Sequence, residues 1–177
     1  MNRLTILSLT SMALLCLAVA LPASNAIAQE KQHVSIKILA ENSKYTQQLN
    51  VDVGDRPNHI LRVYEVHVTF PNNAPVINGL KLVESWTRGV GDRIEGSGDG
   101  RGYEVSVFEN GDRYFTQYTN VVQSVEGGNT SSTSVAHITG GTGKFATIQG
   151  IEQSTTNFNL KTGFYESKAD VEYWFSK

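Results

Sequence analysis

The 177-residue chain carries 15 basic and 17 acidic residues, a formal charge of −2 and a single cysteine. No basic cluster breaks this balance, which argues against a nucleic-acid partner. One cysteine excludes an internal disulfide framework.

In chain order, residues 1–28 read as a secretory leader. Arg3 supplies the one positive charge, Leu4 to Leu21 is uncharged and mostly apolar, and Ala26-Ile27-Ala28 offers the small residues a signal peptidase reads. Cleavage is expected before Gln29, leaving residues 29–177 as one domain with a substantial core. Leu15 is too large to precede a lipoprotein cysteine. A soluble exported protein without a membrane anchor is expected, periplasmic or extracellular. Losing the leader removes Cys16 and takes the formal charge from −2 to −3. Export without disulfides suits a bacterial periplasm.

Beyond the leader, runs rich in Val, Ile, Thr, Tyr and Phe alternate with Gly, Asn and Asp clusters. They predict strands over 33–39, 48–53, 60–70, 79–88, 92–97, 102–109, 112–123, 131–139, 145–158 and 163–175. No stretch combines helical periodicity with caps. Several long antiparallel strands leave edges that closure removes. The expected architecture is therefore all-β, a closed antiparallel barrel of about eight strands able to hold one small ligand.

Alternation assigns the faces. In 60–70, Ile60, Arg62, Tyr64, Val66, Val68 and Phe70 are the more apolar set and are expected inside, with Glu65 and His67 outside. In 79–88, Leu80 and Leu82 draw Glu84, Trp86 and Arg88 to the inner face. Glu84 then becomes a carboxylate among apolar neighbours, either paired with an arginine or poised as an acid or base. Residues 96–102 alternate glycine with Ser97, Asp99 and Arg101, and are expected to form a loop at the barrel mouth.

Asn110-Gly111 predicts a two-residue hairpin turn. That register pairs Val107 with Tyr114, Val105 with Thr116 and Tyr103 with Tyr118. The last strand places Tyr165, Ser167, Ala169, Val171, Tyr173 and Phe175 on one face, expected inside. Tyr64, Tyr103, Tyr118, Tyr173 and Trp86, with Arg62, then form an aromatic pocket with polar tips for a small hydrophobic molecule.

His33, His59, His67 and His137 lack the close spacing of metal ligands, so no metal is expected. No nucleophile elbow is present. Residues 139–150 read Thr-Gly-Gly-Thr-Gly-Lys-Phe-Ala-Thr-Ile-Gln-Gly. A phosphate loop is excluded, because Ile138 stands where its first glycine belongs and Phe145 where its Ser or Thr belongs.

The Gly-Gly-Thr-Gly-Lys-Phe turn resembles the closing segment of the allene oxide cyclase and dirigent-like barrel group, a calycin-like fold. There a strand ends, the chain turns tightly, and Phe anchors the next strand. The resemblance spans about twelve residues and transfers no catalytic residue. It implies a calycin-like barrel and, as one activity, a cofactor-free cyclase or isomerase, for which Glu84 is the candidate acid or base. Three functions follow as expectations: an exported binder of a small hydrophobic molecule, such a cyclase, or a dirigent-like or structural protein that self-associates through an outer face. None requires a cofactor.

Overall fold

The computed structural model describes residues 30–125 and 129–177, and the expected leader lies outside them. Ten strands build one antiparallel sheet: β1 (Gln32–Ile38), β2 (Ser43–Asp52), β3 (His59–Thr69), β4 (Val76–Ile77), β5 (Leu80–Ile94), β6 (Ser97–Phe108), β7 (Arg113–Ser124), β8 (Thr130–Gly141), β9 (Ile148–Asn159) and β10 (Phe164–Phe175). Their order is β1-β10-β9-β8-β7-β6-β5-β3-β2, with β4 added against β5.

The all-β expectation holds, and full closure does not. The end strands β1 and β2 follow each other in the chain through a short 3₁₀ turn, Ala40–Asn42, and no ladder joins them. The sheet curls far enough for the start of β2 to meet β10. Ser43 Oγ donates to the Tyr165 carbonyl at 2.8 Å, and the Tyr45 and Tyr165 rings meet edge to face at 5.9 Å. Beyond Tyr45 every residue of β2 is exposed, so the seam touches only at this end. Gln47, Gln48, Asn50 and Asp52 place polar side chains along the rest of β2, beside the exposed Leu49 and Val51.

Two irregularities decide which side chains face inward. Val83 has no partner on β6, since Leu82 pairs with Phe108 and Glu84 with Val107. This bulge puts Val83 and Glu84 outside in succession and reverses the alternation beyond them. Ser85 and Thr87 turn in; Glu84, Trp86 and Arg88 turn out, contrary to the expectation for 79–88.

The second irregularity is the β6–β7 turn. It is longer than two residues: Gly111 N donates to the Phe108 carbonyl, Phe108 N to the Asp112 carbonyl, and Gly111 lies at φ 87°. This is a three-residue loop with a bulged glycine. The register is one residue off the expected one, pairing Tyr103 with Gln117 and Ser106 with Tyr114. Tyr103 therefore stands outside and is 61 % exposed.

Residues 96–102 are strand rather than loop. A tight turn at Glu95 (φ 52°) and Gly96 (φ 83°) joins β5 to β6, and the alternating glycines run in the ladder from Gly98 to Gly102.

One end of the interior is sealed. Phe145 is fully buried in the 3₁₀ turn Gly143–Phe145 and stacks on Phe108 at 4.1 Å, with Tyr114 and Phe175 around it. Each such buried ring contributes about 1.5–3 kcal/mol. Lys144 N donates to Asp112 Oδ2 at 2.9 Å, fixing this turn to the β6–β7 hairpin. The 139–150 motif is thus a structural plug. On the outside, Leu49, Val51, Leu61, Val63, Val90, Val121 and Val135 form exposed apolar positions across β2, β3, β5, β7 and β8.

Candidate functional site

Above the aromatic plug the inward positions change character. Where a solid core would carry Val, Ile or Leu, the sheet presents Ser85 and Thr87 from β5, Glu104 from β6, Thr116, Tyr118 and Asn120 from β7, and Ser132 and Ser134 from β8. Glu152, Ser154 and Thr156 from β9 and Ser167 from β10 complete the ring. Together with Tyr45, Arg62, Tyr64, Arg93 and Tyr165, and with the apolar Ile36, Ile38, Phe70, Leu82, Ala136, Phe158 and Ala169, they line a cavity of about 80 Å³. Small polar side chains leave the space; none is long enough to fill it.

Two carboxyls face this space from β6 and β9, three strands apart around the sheet. Glu104 Oε2 accepts from Thr87 Oγ1 at 3.0 Å and Oε1 from Ser106 Oγ at 3.3 Å. Burial still raises its pKa above the ordinary carboxyl range. Glu152 makes no side-chain hydrogen bond among the described residues. Burial, reinforced by the nearby Glu104 charge, pushes its pKa up to about 8. Two acids sharing a desolvated space cannot both ionise cheaply, so the pair keeps a proton near neutral pH.

Four phenols meet above the acids. Tyr64 Oη and Tyr118 Oη lie 2.7 Å apart. Burial pushes the Tyr45, Tyr118 and Tyr165 phenols up, so all three stay protonated and serve as hydrogen-bonding groups. The close approach of Tyr64 and Tyr118 to the wall requires Gly89 and Gly102. A Cβ on Gly89 would sit 2.6 Å from Tyr64 Cζ, and one on Gly102 would sit 2.6 Å from Tyr118 Cζ.

Two arginines close the same end. The Arg62 guanidinium lies between the Tyr45 and Tyr64 rings, 5.0 and 4.9 Å from their centroids, and Nη2 donates to Gln48 Oε1 at 2.8 Å. Burial lowers the Arg93 pKa, and its Nη1 donates to the carbonyls of Asp92 and Asp99.

Of the residues expected inside, Arg62, Tyr64 and Tyr118 do line this cavity. Tyr173 is inward but belongs to the sealed end, where its hydroxyl donates to Gln32 Oε1 at 2.6 Å and accepts from Asn78 N at 3.1 Å. Glu84 and Trp86 are on the outer surface: Glu84 Oε2 pairs with His67 Nε2 at 2.8 Å, and the His67 ring stacks on Trp86 at 3.9 Å. Glu65 and His67 are outside as expected, with Glu65 held by Arg88 and Thr46. Tyr103 is outside for the register reason given above.

Glu104, Glu152, Arg93 and Asn120 were not legible as site residues. For Glu152 a signal existed. The β9–β10 register pairs Tyr165 with Phe158, Ser167 with Thr156 and Val171 with Glu152. The correctly assigned inner face of the last strand therefore carries Glu152 inward across the hairpin.

No protein-family model matches the chain, and no curated protein matches it. Among solved structures, the chain is similar to the pterocarpan synthase dirigent protein PsPTS1, with TM-score 0.49 and 13% identity over 84% of this chain and 97% of that one. It is also similar to the pterocarpan synthase dirigent protein GePTS1, with TM-score 0.45 and 15% identity over 85% and 88% of the two chains.

Proposed function

We propose that this chain is an exported receptacle for one small molecule, bound in the interior cavity between the Glu104–Glu152 pair and the tyrosine–arginine end. The observation that carries the reading is the polar lining itself. Buried polar groups cost stability unless they are satisfied, and apolar residues at these positions would give a better-packed core. A sheet that spends its inner face on serines, threonines and two acids gains nothing for folding. The lining also changes the ligand expected from the sequence: a small molecule carrying polar groups beside apolar ones fits these mixed walls better than a purely hydrophobic one. The leader expected over residues 1–28 supports the exported location.

A second reading rests on Glu152. A carboxyl that keeps its proton near neutral pH inside a cavity is suited to donate it to a bound substrate. This supports an acid-assisted, cofactor-free isomerase or cyclase in which Glu152, rather than Glu84, gives a proton to the substrate and the ionised Glu104 takes one back from the resulting cation, so that the pair holds one proton before and after.

The test is native mass spectrometry of the chain purified under non-denaturing conditions, followed by denaturing extraction. A stoichiometric small molecule that is lost in a Glu152→Leu variant supports the receptacle. An empty protein whose melting temperature responds to no member of a small-metabolite panel overturns it.

A further inference from the structure

Arg62 is only 7% exposed, and its Nε is buried with no hydrogen-bond acceptor among the described residues. No carboxylate pairs with it among the described residues; its contacts are two phenol rings and the neutral Gln48 amide. Arg93, by contrast, has Asp92 and Asp99 beside it. One buried guanidinium in this cavity therefore has no carboxylate in direct contact among the described residues, an arrangement that is costly unless an anion completes it. Asn120 is the complementary group: its Nδ2 donates to Ser132 Oγ at 2.9 Å, while its buried Oδ1 accepts no hydrogen bond among the described residues. A Cβ on Gly100 would lie 2.7 Å from Asn120 Oδ1 and 3.3 Å from Arg93 Nη2, so these two side chains meet over that glycine.

We infer that the cavity binds a short hydroxylated monocarboxylate, its carboxylate accepting from the Arg62 guanidinium and its hydroxyl hydrogen-bonding the polar wall at Asn120 and Ser132. The inference rests on the receptacle reading and names its ligand class. One guanidinium without a directly contacting carboxylate calls for a ligand with one negative charge. A phosphate dianion would bring a second charge into a space that already holds two carboxyls. Size points the same way. The cavity of about 80 Å³ is roughly half the 150 Å³ that admits benzene in an apolar core, which suits a ligand of a few heavy atoms.

Titration calorimetry on the purified chain, stripped of any co-purified molecule by denaturation and refolding, tests this with four probes: lactate, acetate, propane-1,2-diol and inorganic phosphate. Lactate is expected to bind at least tenfold more tightly than propane-1,2-diol, which lacks the carboxylate, and several-fold more tightly than acetate, which lacks the hydroxyl. Phosphate is expected to bind more weakly than lactate. Arg62→Met is expected to abolish the preference for lactate over the diol. Equal binding of lactate and the diol by the wild type, or phosphate binding as tightly as lactate, overturns the monocarboxylate assignment. That comparison needs no variant and decides even if Arg62→Met fails to fold. No lactate binding alongside a co-purified molecule of another class overturns this inference and leaves the receptacle standing; no binding and no co-purified molecule overturns both.

Discussion

Tyr64 and Tyr118 come from strands that are not neighbours, yet their phenol oxygens lie 2.7 Å apart inside the sheet. Between β3 and β7 run β5 and β6, and at the crossing both present glycine, Gly89 and Gly102, which pair with each other. The two rings lie over a strip of bare backbone. This bridge forms the wall between the cavity and the outside on that flank.

Gly102→Ala should break the arrangement. The new Cβ would meet the Arg88 carbonyl oxygen and sit 2.6 Å from Tyr118 Cζ. The carbonyl belongs to the backbone and cannot swing aside, so the tyrosine and the strand must both shift. Overpacking of this kind costs about 1–3 kcal/mol. Chemical denaturation should show that loss with an unchanged slope, and ligand affinity should fall with it. A variant as stable as the parent would mean the rings have room that the geometry denies.

The contrast between β3 and β5 shows where the sequence was informative. On β3 the apolar set was continuous, and Arg62, Tyr64, Val66, Val68 and Phe70 all fell inside as alternation requires. On β5 the same rule failed because Val83 bulges, and a single extra residue carries Glu84 and Trp86 to the opposite face. The Asn110-Gly111 hairpin failed for a related reason: the dipeptide marked the turn correctly but fitted a three-residue loop as well as a two-residue one. The cavity acids were hidden by a third effect. Reading apolar residues as inward presumes a filled core. Here Ile151, Val135 and Val121 face outward while Glu152, Ser134 and Asn120 face the space within. A polar-lined cavity inverts the binary pattern locally, and only register inherited from a well-assigned neighbouring strand recovers it.

Glu84→Gln tests the reassigned face. The carboxylate sits on the outer surface, half-exposed, against His67. Exposed pairs of this kind contribute about 0–1 kcal/mol. The substitution should leave the binding of any cavity ligand unchanged and shift the denaturation midpoint only slightly. A loss of binding above twofold would place Glu84 in communication with the interior and contradict the bulge at Val83.

Glu152→Gln makes the strongest statement about the cavity. The folded chain holds the Glu152 proton up to about pH 8, whereas the unfolded chain releases it in the ordinary carboxyl range, near 4.3. Between those values the folded state binds more protons than the unfolded state, so stability must fall as pH rises. Below that window the term is fully favourable to the fold; above it, the buried carboxylate is charged in both states and its cost is complete. Glutamine matches the protonated carboxyl in shape and never ionises. The variant should therefore match the wild type in stability at pH 4 and exceed it increasingly toward pH 8, by on the order of a few kcal/mol at the upper end. Thermal melts of both proteins from pH 4 to 8 give the difference directly, with the exposed groups common to both cancelling. Parallel curves across the range would mean that Glu152 is hydrated and ionised like any surface carboxylate, and the enclosed acid pair would have to be abandoned.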